Sequence, residues 1–214
     1  YGHVSIRHPE HPDRYILSQS RAPDLVEVSD LMEYTLEGEP IDQQGRSMYT
    51  ERPIHGGIYE ARNDVLAIVH NHATSVIPFT VTNTPLRPIL HLAAITGPEL
   101  PVWDIRDNFG DTNLLVTTMD QGRDLANCLG GRRVSLMRGH GCVIAGKSIR
   151  EVVMASVYLQ VNAGLLLESL SLGDVKYLSP GEIKAMTDSQ MSLSGQERAW
   201  EYWANRAGRG GIAK

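Results

Sequence analysis

Short apolar runs separated by turn-forming residues dominate the first seventy positions. Residues 4–7 and 15–18 have the composition of strands, and the proline-rich segment 8–14 between them predicts a turn. Residues 25–34 predict a short helical or turn-like step. Residues 65–70 form a nearly continuous, β-branched apolar run, which predicts a buried strand.

Helical patterns dominate much of the remaining chain. Residues 148–170 give the clearest one, because Ser148 can cap the helix and Glu151 stands at capping-box spacing. The other predicted helices are 54–62, 74–79, 86–95 and 119–129.

Four further short strands are predicted, and the whole pattern indicates one mixed α/β domain. These strands are 102–105, 114–116, 134–137 and 142–145. With no internal repeat or low-complexity linker, we predict a single domain over 1–214, with 171–214 as a helical tail. The chain begins at Tyr1 inside a structured pattern, so we expect residues to be missing from the front.

Composition narrows the functional classes. Apolar residues make up 42% and charged residues 21%, which excludes disorder. A net charge of -5 argues against nucleic acid or an anionic membrane as the main partner. We expect no apolar run long enough to span a bilayer. Two cysteines cannot form a disulfide framework, so reduced thiols in the cytoplasm are expected.

Eight histidines are the most informative part of the composition. His70 and His72 are two positions apart, which places both side chains on one face of a strand. His140 lies in a Gly-His-Gly step, where the glycines allow close backbone approach. Three histidines and a carboxylate would form an open site for zinc, iron, cobalt, nickel or manganese. Histidines satisfied by ordinary hydrogen bonds are the alternative.

Several ordered landmarks resemble the class II aldolase/adducin family. They are the opening Gly-His-Val-Ser-Ile-Arg of 2–7, Glu51, the Tyr-x-x-Arg-x-Asp-Val of 59–65, the His-Asn-His of 70–72 and the Arg-Gly-His-Gly of 138–141. The resemblance implies a three-layer α/β/α fold around a mostly antiparallel sheet. It also implies a homotetramer with active sites between neighbouring subunits.

The resemblance assigns roles to four of these residues. His70, His72 and His140 match the ligands of one divalent metal ion per subunit, for which manganese is favoured over zinc, iron or cobalt. Glu51 matches a glutamate that ligates the empty metal site and moves protons during catalysis. A solvated turn carboxylate is the alternative for Glu51.

Departures from the sugar-phosphate aldolases point to another substrate. His3, Ser20-Arg21 and Tyr49-Thr50 replace the Asn, Thr-Gly and Ser-Ser with which those enzymes bind phosphate. An arginine fork suits a carboxylate, and a tyrosine ring suits a flat substrate. We therefore expect His3, Ser20, Arg21 and Tyr49 to bind substrate, although Arg21 as a solvated loop cation is the alternative. Leu92 stands where the aldolases carry a catalytic tyrosine.

These substitutions resemble the aromatic acid decarboxylases of the family. The Arg-Pro-x-x-His step of 87–91 makes His91 a candidate proton donor, with a buried core histidine as the alternative. The expected reaction removes the carboxylate ortho to a hydroxyl on a benzene or pyridine dicarboxylate, such as 3,4-dihydroxyphthalate or 3-hydroxy-2-methylpyridine-4,5-dicarboxylate. Three alternatives are an aldolase or epimerase acting on a hydroxy-carbonyl or sugar phosphate, an iron-dependent oxygenase, and a non-catalytic adducin-like interaction module.

Overall fold

A seven-stranded sheet forms the centre of the computed structural model, which describes residues 2–190 and 193–208. The strands run in the order β3-β2-β1-β4-β7-β6-β5, and every neighbouring pair is antiparallel except β5 with β6. The strands are β1 Gly2–Arg7, β2 Arg14–Ser18, β3 Leu31–Thr35, β4 Ala67–Asn71, β5 Val102–Trp103, β6 Val134–Met137 and β7 Gly141–Gly146.

Helices lie on both faces of this sheet. They are α1 Pro53–Ala61, α2 Ile77–Thr80, α3 Arg106–Phe109, α4 Met119–Leu129, α5 Ile149–Leu172, α6 Pro180–Gln190 and α7 Leu193–Arg206. Short 3₁₀ helices span Pro23–Leu25, Val28–Asp30 and His91–Thr96. Residues 191–192 and 209–214 of the predicted C-terminal tail lie outside the described residues.

Two hydrophobic cores separate the helices into layers. One core packs α1 and α4 against one face of the sheet, and the other packs α5 against the opposite face. This is the three-layer arrangement with a mostly antiparallel sheet that the resemblance implied. Among the described helices, α5 is the one whose length and hydropathy alone would suffice to cross a membrane. Its side chains at Val152, Ala155, Leu159 and Leu166 are buried in the second core.

The predicted helix over 86–95 is wrong. Pro88 lacks an amide hydrogen and disfavours helical geometry in the residue before it, so only the 3₁₀ turn His91–Thr96 forms. The side chain of Asn162 in α5 stabilises the irregular part. Its amide oxygen accepts the backbone N–H groups of Ile89 and Leu90 at 2.8 and 3.1 Å, and its amide nitrogen donates to the carbonyl of Arg87 at 2.9 Å.

Other predicted elements differ in extent. Residues 25–34 contain helical turns as predicted. They end in strand β3, which we did not predict although Met32 and Tyr34 show the alternating burial of a strand. The helix predicted at 74–79 is the single turn α2, and the strand at 102–105 shrinks to β5. The strand predicted at 114–116 is irregular, because its backbone groups bond to side chains of the site described below.

Helices α1 and α4 approach each other closely. A Cβ added to Gly122 in α4 would lie 2.2 Å from the carbonyl oxygen of Pro53, and one added to Gly57 would lie 2.5 Å from the Gly122 carbonyl carbon. This contact holds the start of α1, and with it the preceding Glu51, above the sheet.

Candidate metal centre and substrate cavity

The three predicted histidines and Glu51 converge on one point. His70 lies near the end of β4, His72 follows the strand, His140 lies in the turn between β6 and β7, and Glu51 precedes α1. The Nε2 atom of His72 lies 3.0 Å from the Nε2 atoms of both His70 and His140. The Oε2 atom of Glu51 lies 3.5 Å from the same two nitrogens. All four ligand atoms lie within 4.8 Å of one another.

Backbone groups orient these side chains. The Nδ1 atom of His70 lies 3.1 Å from the carbonyl oxygen of Cys142, and that of His140 lies 3.0 Å from the carbonyl of Leu114. A carbonyl only accepts, so each Nδ1 carries the proton and each Nε2 presents a lone pair to the centre. The backbone N–H of Val116 donates to Oε1 of Glu51 at 3.1 Å, which leaves Oε2 facing the histidines. This donor set fits a divalent cation.

Electrostatics favour the unprotonated state that a metal requires. Burial lowers the pKa of His70, and burial together with the charges of His70 and His140 lowers the pKa of His72 to about 4. Burial alone would raise the pKa of Glu51, but its contacts with the imidazoles of His140 and His70 hold it well below its usual range. Neutral imidazoles beside a carboxylate are the ligand forms that bind divalent metals.

Two backbone positions make this convergence possible. A Cβ at Gly141 would lie 2.2 Å from the carbonyl oxygen of Asn71, so only glycine lets β7 pass this close to the end of β4. Leu114 has a φ of 66°, an uncommon left-handed conformation for a leucine. That conformation belongs to the irregular segment whose Leu114 carbonyl and Val116 amide hold His140 and Glu51. Strained backbone of this kind concentrates at functional sites.

A cavity of about 270 Å³ opens beside Glu51, His70 and His72. His3, Ser20, Arg21 and Tyr49, the four predicted substrate-binding residues, all line it together with Thr50, Glu51, His70 and His72. A second, mostly apolar cavity of about 480 Å³ adjoins it and shares His3, Tyr49 and His70. One aromatic ring with polar substituents is of the right size for this space.

Arg21 already has a carboxylate partner in the chain. Its Nη1 atom lies 2.8 Å from Oδ2 of Asp30, a nearly buried side chain, while Arg21 itself is 42% exposed. The hydroxyl of Tyr49 donates to the backbone carbonyl of Arg21 at 2.6 Å. Tyr49 also packs its ring against His3, with centroids 4.6 Å apart. Arg21 and Tyr49 therefore form one wall of the cavity.

His91 lies away from this cavity. It starts the 3₁₀ turn His91–Thr96, is exposed, and is absent from the residues that line the cavity of its own chain. The alternative of a buried core histidine is wrong. Its role as proton donor stays a prediction.

Sequence reasoning missed three polar residues behind the cavity. His55 in α1 is fully buried, and its ring nitrogens lie 2.6 Å from Nδ1 of His3 and 2.6 Å from Oγ of Ser5. Oγ of Ser5 also lies 2.9 Å from the hydroxyl of Tyr59. The spacing of Glu51, His55 and Tyr59 could have found them, because residues four apart share one face of a helix.

Comparison with known proteins agrees with this geometry. The model of the Class II Aldolase and Adducin N-terminal domain matches residues 1–167. The chain is 33% identical to decarboxylase tropJ of Talaromyces stipitatus, over 99% of this chain and 88% of that protein. It is 27% identical to the 3,4-dihydroxyphthalate decarboxylase of Arthrobacter keyseri, over 97% and 84% of the two chains.

The fold has solved counterparts. An aldolase II superfamily protein from Pseudomonas syringae superposes with a TM-score of 0.78 at 20% identity, over 99% of this chain and 84% of that one. Both the three-layer fold and the resemblance to the aromatic decarboxylase branch are therefore confirmed. The chain belongs to the class II aldolase/adducin family and resembles its decarboxylases.

Proposed function

We propose that this lyase-type enzyme is a divalent-metal-dependent decarboxylase that removes the carboxylate ortho to a hydroxyl on an aromatic or pyridine dicarboxylate. The observation that supports this function most directly is the position of Arg21, Tyr49 and His3 on the wall of the cavity beside the His70, His72, His140 and Glu51 cluster. The decarboxylase relatives support the reaction class.

His70, His72 and His140 would hold the metal, with Glu51 as a fourth ligand in the absence of substrate. A divalent ion supplies Lewis-acid stabilisation of negative charge on the substrate hydroxyl oxygen. The open side of the cluster faces the cavity, so the hydroxyl and the adjacent carboxylate enter from the wall formed by Arg21 and Tyr49. Manganese is the metal we favour.

Glu51 is suited to carry the proton. Its Oε2 lies 3.5 Å from Nε2 of His70 and His140 and Glu51 lines the cavity, so the carboxylate is placed to accept the proton of a substrate hydroxyl bound there. Protonated Glu51 then delivers that proton to the ring carbon that bears the departing carboxylate. Carbon dioxide leaves, and the electron pair of the broken carbon–carbon bond restores the aromatic ring. The product oxygen regains a proton from solvent.

Arg21 and Tyr49 position the ring for this transfer. The Arg21 guanidinium clamps the carboxylate that the substrate retains, and Tyr49 packs on the ring face. Arg21 forms this contact while still neutralised in part by Asp30, which also fixes the loop that carries it. Ser20, on the same wall, offers a further hydrogen bond.

Turnover of a small substrate panel tests the proposal. Release of CO2 from 3,4-dihydroxyphthalate and from 3-hydroxy-2-methylpyridine-4,5-dicarboxylate would be measured after addition of Mn²⁺, Zn²⁺, Fe²⁺ or Co²⁺ to chelator-treated protein. We expect metal-dependent CO2 release from at least one of them. Cleavage of L-fuculose 1-phosphate without decarboxylation of any aromatic acid would contradict the proposal and favour an aldolase. Consumption of O2 during turnover would instead indicate an oxygenase.

A further inference from the structure

Strand β1 carries an inverted pattern of polar and apolar residues. His3, Ser5 and Arg7 point into the protein and are buried, whereas Val4 on the opposite face is 41% exposed. Burying a polar row costs free energy unless each group is hydrogen-bonded. His55 and Tyr59 of α1 provide the partners for His3 and Ser5.

These groups form one continuous chain of hydrogen bonds. It runs from the Tyr59 hydroxyl to Oγ of Ser5, from Ser5 to Nδ1 of His55, and from Nε2 of His55 to Nδ1 of His3. The remaining ring nitrogen, Nε2 of His3, has no hydrogen-bond partner within the described part of the chain, and His3 lines the cavity. We call Tyr59, Ser5, His55 and His3 the buried relay.

The direction of hydrogen-bond donation along the buried relay follows from Tyr59, the residue at the end away from the cavity. The Tyr59 side chain is fully buried, and among the described residues Oγ of Ser5 is the only hydrogen-bond partner of its hydroxyl. A buried hydroxyl that donates to nothing costs about 1–3 kcal/mol, so Tyr59 donates to Ser5. The Ser5 hydrogen must then point to Nδ1 of His55, which accepts.

The remaining steps fix the tautomer of His3. With Nδ1 as acceptor, His55 carries its proton on Nε2 and donates it to Nδ1 of His3. His3 is then left with its proton on Nε2, the nitrogen that is not used in the relay. We infer that His55 is a positioning residue: hydrogen-bonded to Ser5, it holds His3 as the Nε2–H tautomer, a hydrogen-bond donor for an anionic oxygen of the substrate.

This donor would contact a carboxylate or phenolate oxygen of the bound acid. The catalytic role of the His3 donor rests on the proposed function. The tautomer of His3 is independent of that function. A donor fixed in advance needs no reorganisation when negative charge develops on the substrate. Loss of one such hydrogen bond corresponds to roughly a tenfold fall in kcat/KM.

Histidine-selective ¹⁵N NMR of the zinc-loaded protein tests the tautomer directly, with the signals of His3 assigned by their loss in His3→Asn. We expect the His3 shifts of a protonated Nε2 and an unprotonated Nδ1. Two matched variants separate the direction of the relay from general damage. Tyr59→Phe should keep the tautomer, because Ser5 still has His55 as its acceptor. Ser5→Ala should leave the tautomer of His3 unfixed, so the His3 shifts should be averages over the two tautomers.

Activity gives the second readout. His55→Phe and Ser5→Ala should lower kcat/KM on the accepted aromatic acid by about tenfold, while Tyr59→Phe should lower it by less than about threefold. A protonated Nδ1 on His3 in the wild type would overturn the inference even if the enzyme decarboxylates. Unchanged His3 shifts in folded Ser5→Ala would overturn it as well. The expected tautomer in a protein that releases no CO2 would refute the proposed function alone.

Discussion

At the scale of single residues, the metal cluster gives the most direct prediction. His70→Ala or His140→Ala removes one of three Nε2 donors that lie 3.0–3.5 Å from their neighbours, and too few fixed ligands remain. We expect both variants to lose the divalent ion after dialysis, as measured by elemental analysis. His11→Ala, in the exposed turn after β1, is the control and should keep the metal content of the wild type. Full occupancy in both cluster variants would exclude these residues as ligands.

Arg21 tests the class of substrate. A bound substrate would cover the partly exposed Arg21, and removal of one partner of such a charged hydrogen bond typically costs about 2–5 kcal/mol. Arg21→Ala should therefore lose about 30-fold or more in kcat/KM on 3,4-dihydroxyphthalate. The loss should be much smaller on 2,3-dihydroxybenzoate, which lacks the retained carboxylate. Equal losses on both acids would assign Arg21 a structural role through its ion pair with Asp30.

Buried His55 makes stability depend on pH. Burial, followed by the charge of His70, lowers its pKa to about 3 from an ordinary 6.5. Below pH 6.5 the unfolded chain takes up a proton that folded His55 does not bind, so the free energy of unfolding falls by about 1.4 kcal/mol per pH unit. Chemical denaturation from pH 7 to 4.5 should show a shallower decline in His55→Phe than in the wild type. Parallel curves would contradict a buried neutral His55.

At the scale of elements, the close approach of α1 and α4 depends on glycine. Gly122→Ala would place a Cβ 2.2 Å from the Pro53 carbonyl oxygen, which the two backbones can relieve only by moving apart. We expect it to lower the free energy of unfolding by roughly 2–3 kcal/mol, measured by urea denaturation. Gly181→Ala, at an exposed position in the first turn of α6, is the control and should change stability by less than about 1 kcal/mol. Similar effects of both changes would refute the tight contact.

The elements that the sequence predicted well are those with their own local signals. Helix α4 has its predicted bounds, because Thr118 caps one end and Gly130 follows the other. The helix wrongly predicted over 86–95 depends instead on Asn162, a side chain of α5 that no local pattern reveals. The irregular segment at 114–116 likewise takes its conformation from Glu51 and His140.

The candidate site was predictable to a similar degree. The spacing of His70 and His72, with His140 between glycines, suggested a metal site, and the family resemblance assigned these three histidines and Glu51 to one ion. His55 escaped notice, because its spacing from Glu51 and Tyr59 indicates a shared helix face but not its partners His3 and Ser5 on β1. Long-range contacts between side chains were therefore the part of the site that sequence alone could not supply.

At the scale of the whole molecule, α5 carries an apolar surface that the sheet does not cover. Leu165, Leu167 and Leu170 are each 37–41% exposed, and Leu172 is 88% exposed. We propose that this surface lies between subunits of a homotetramer, as the family resemblance implies. If the active site is shared between subunits, exposed His91 would line the cavity of a neighbouring subunit instead of that of its own chain.

Light scattering tests the assembly. We expect the mass of a tetramer at micromolar concentration, and a smaller species for Leu165→Glu, because a buried unpaired carboxylate at a subunit contact is costly. His11→Glu introduces the same charge at an exposed turn and should leave the mass unchanged. A monomeric wild type would contradict both the interface and a shared site.

The four groups of the metal cluster come from positions 51, 70, 72 and 140, and they meet only when β4 and β7 are paired. An unfolded chain therefore offers the ion no comparable site, and binding stabilises only the completed fold. By mass action, an ion at one hundred times its dissociation constant adds about 2.7 kcal/mol to the folded state. If the cluster holds the ion as proposed, the melting temperature should rise with the concentration of free divalent metal, and the metal-free protein should be the form that proteases degrade first.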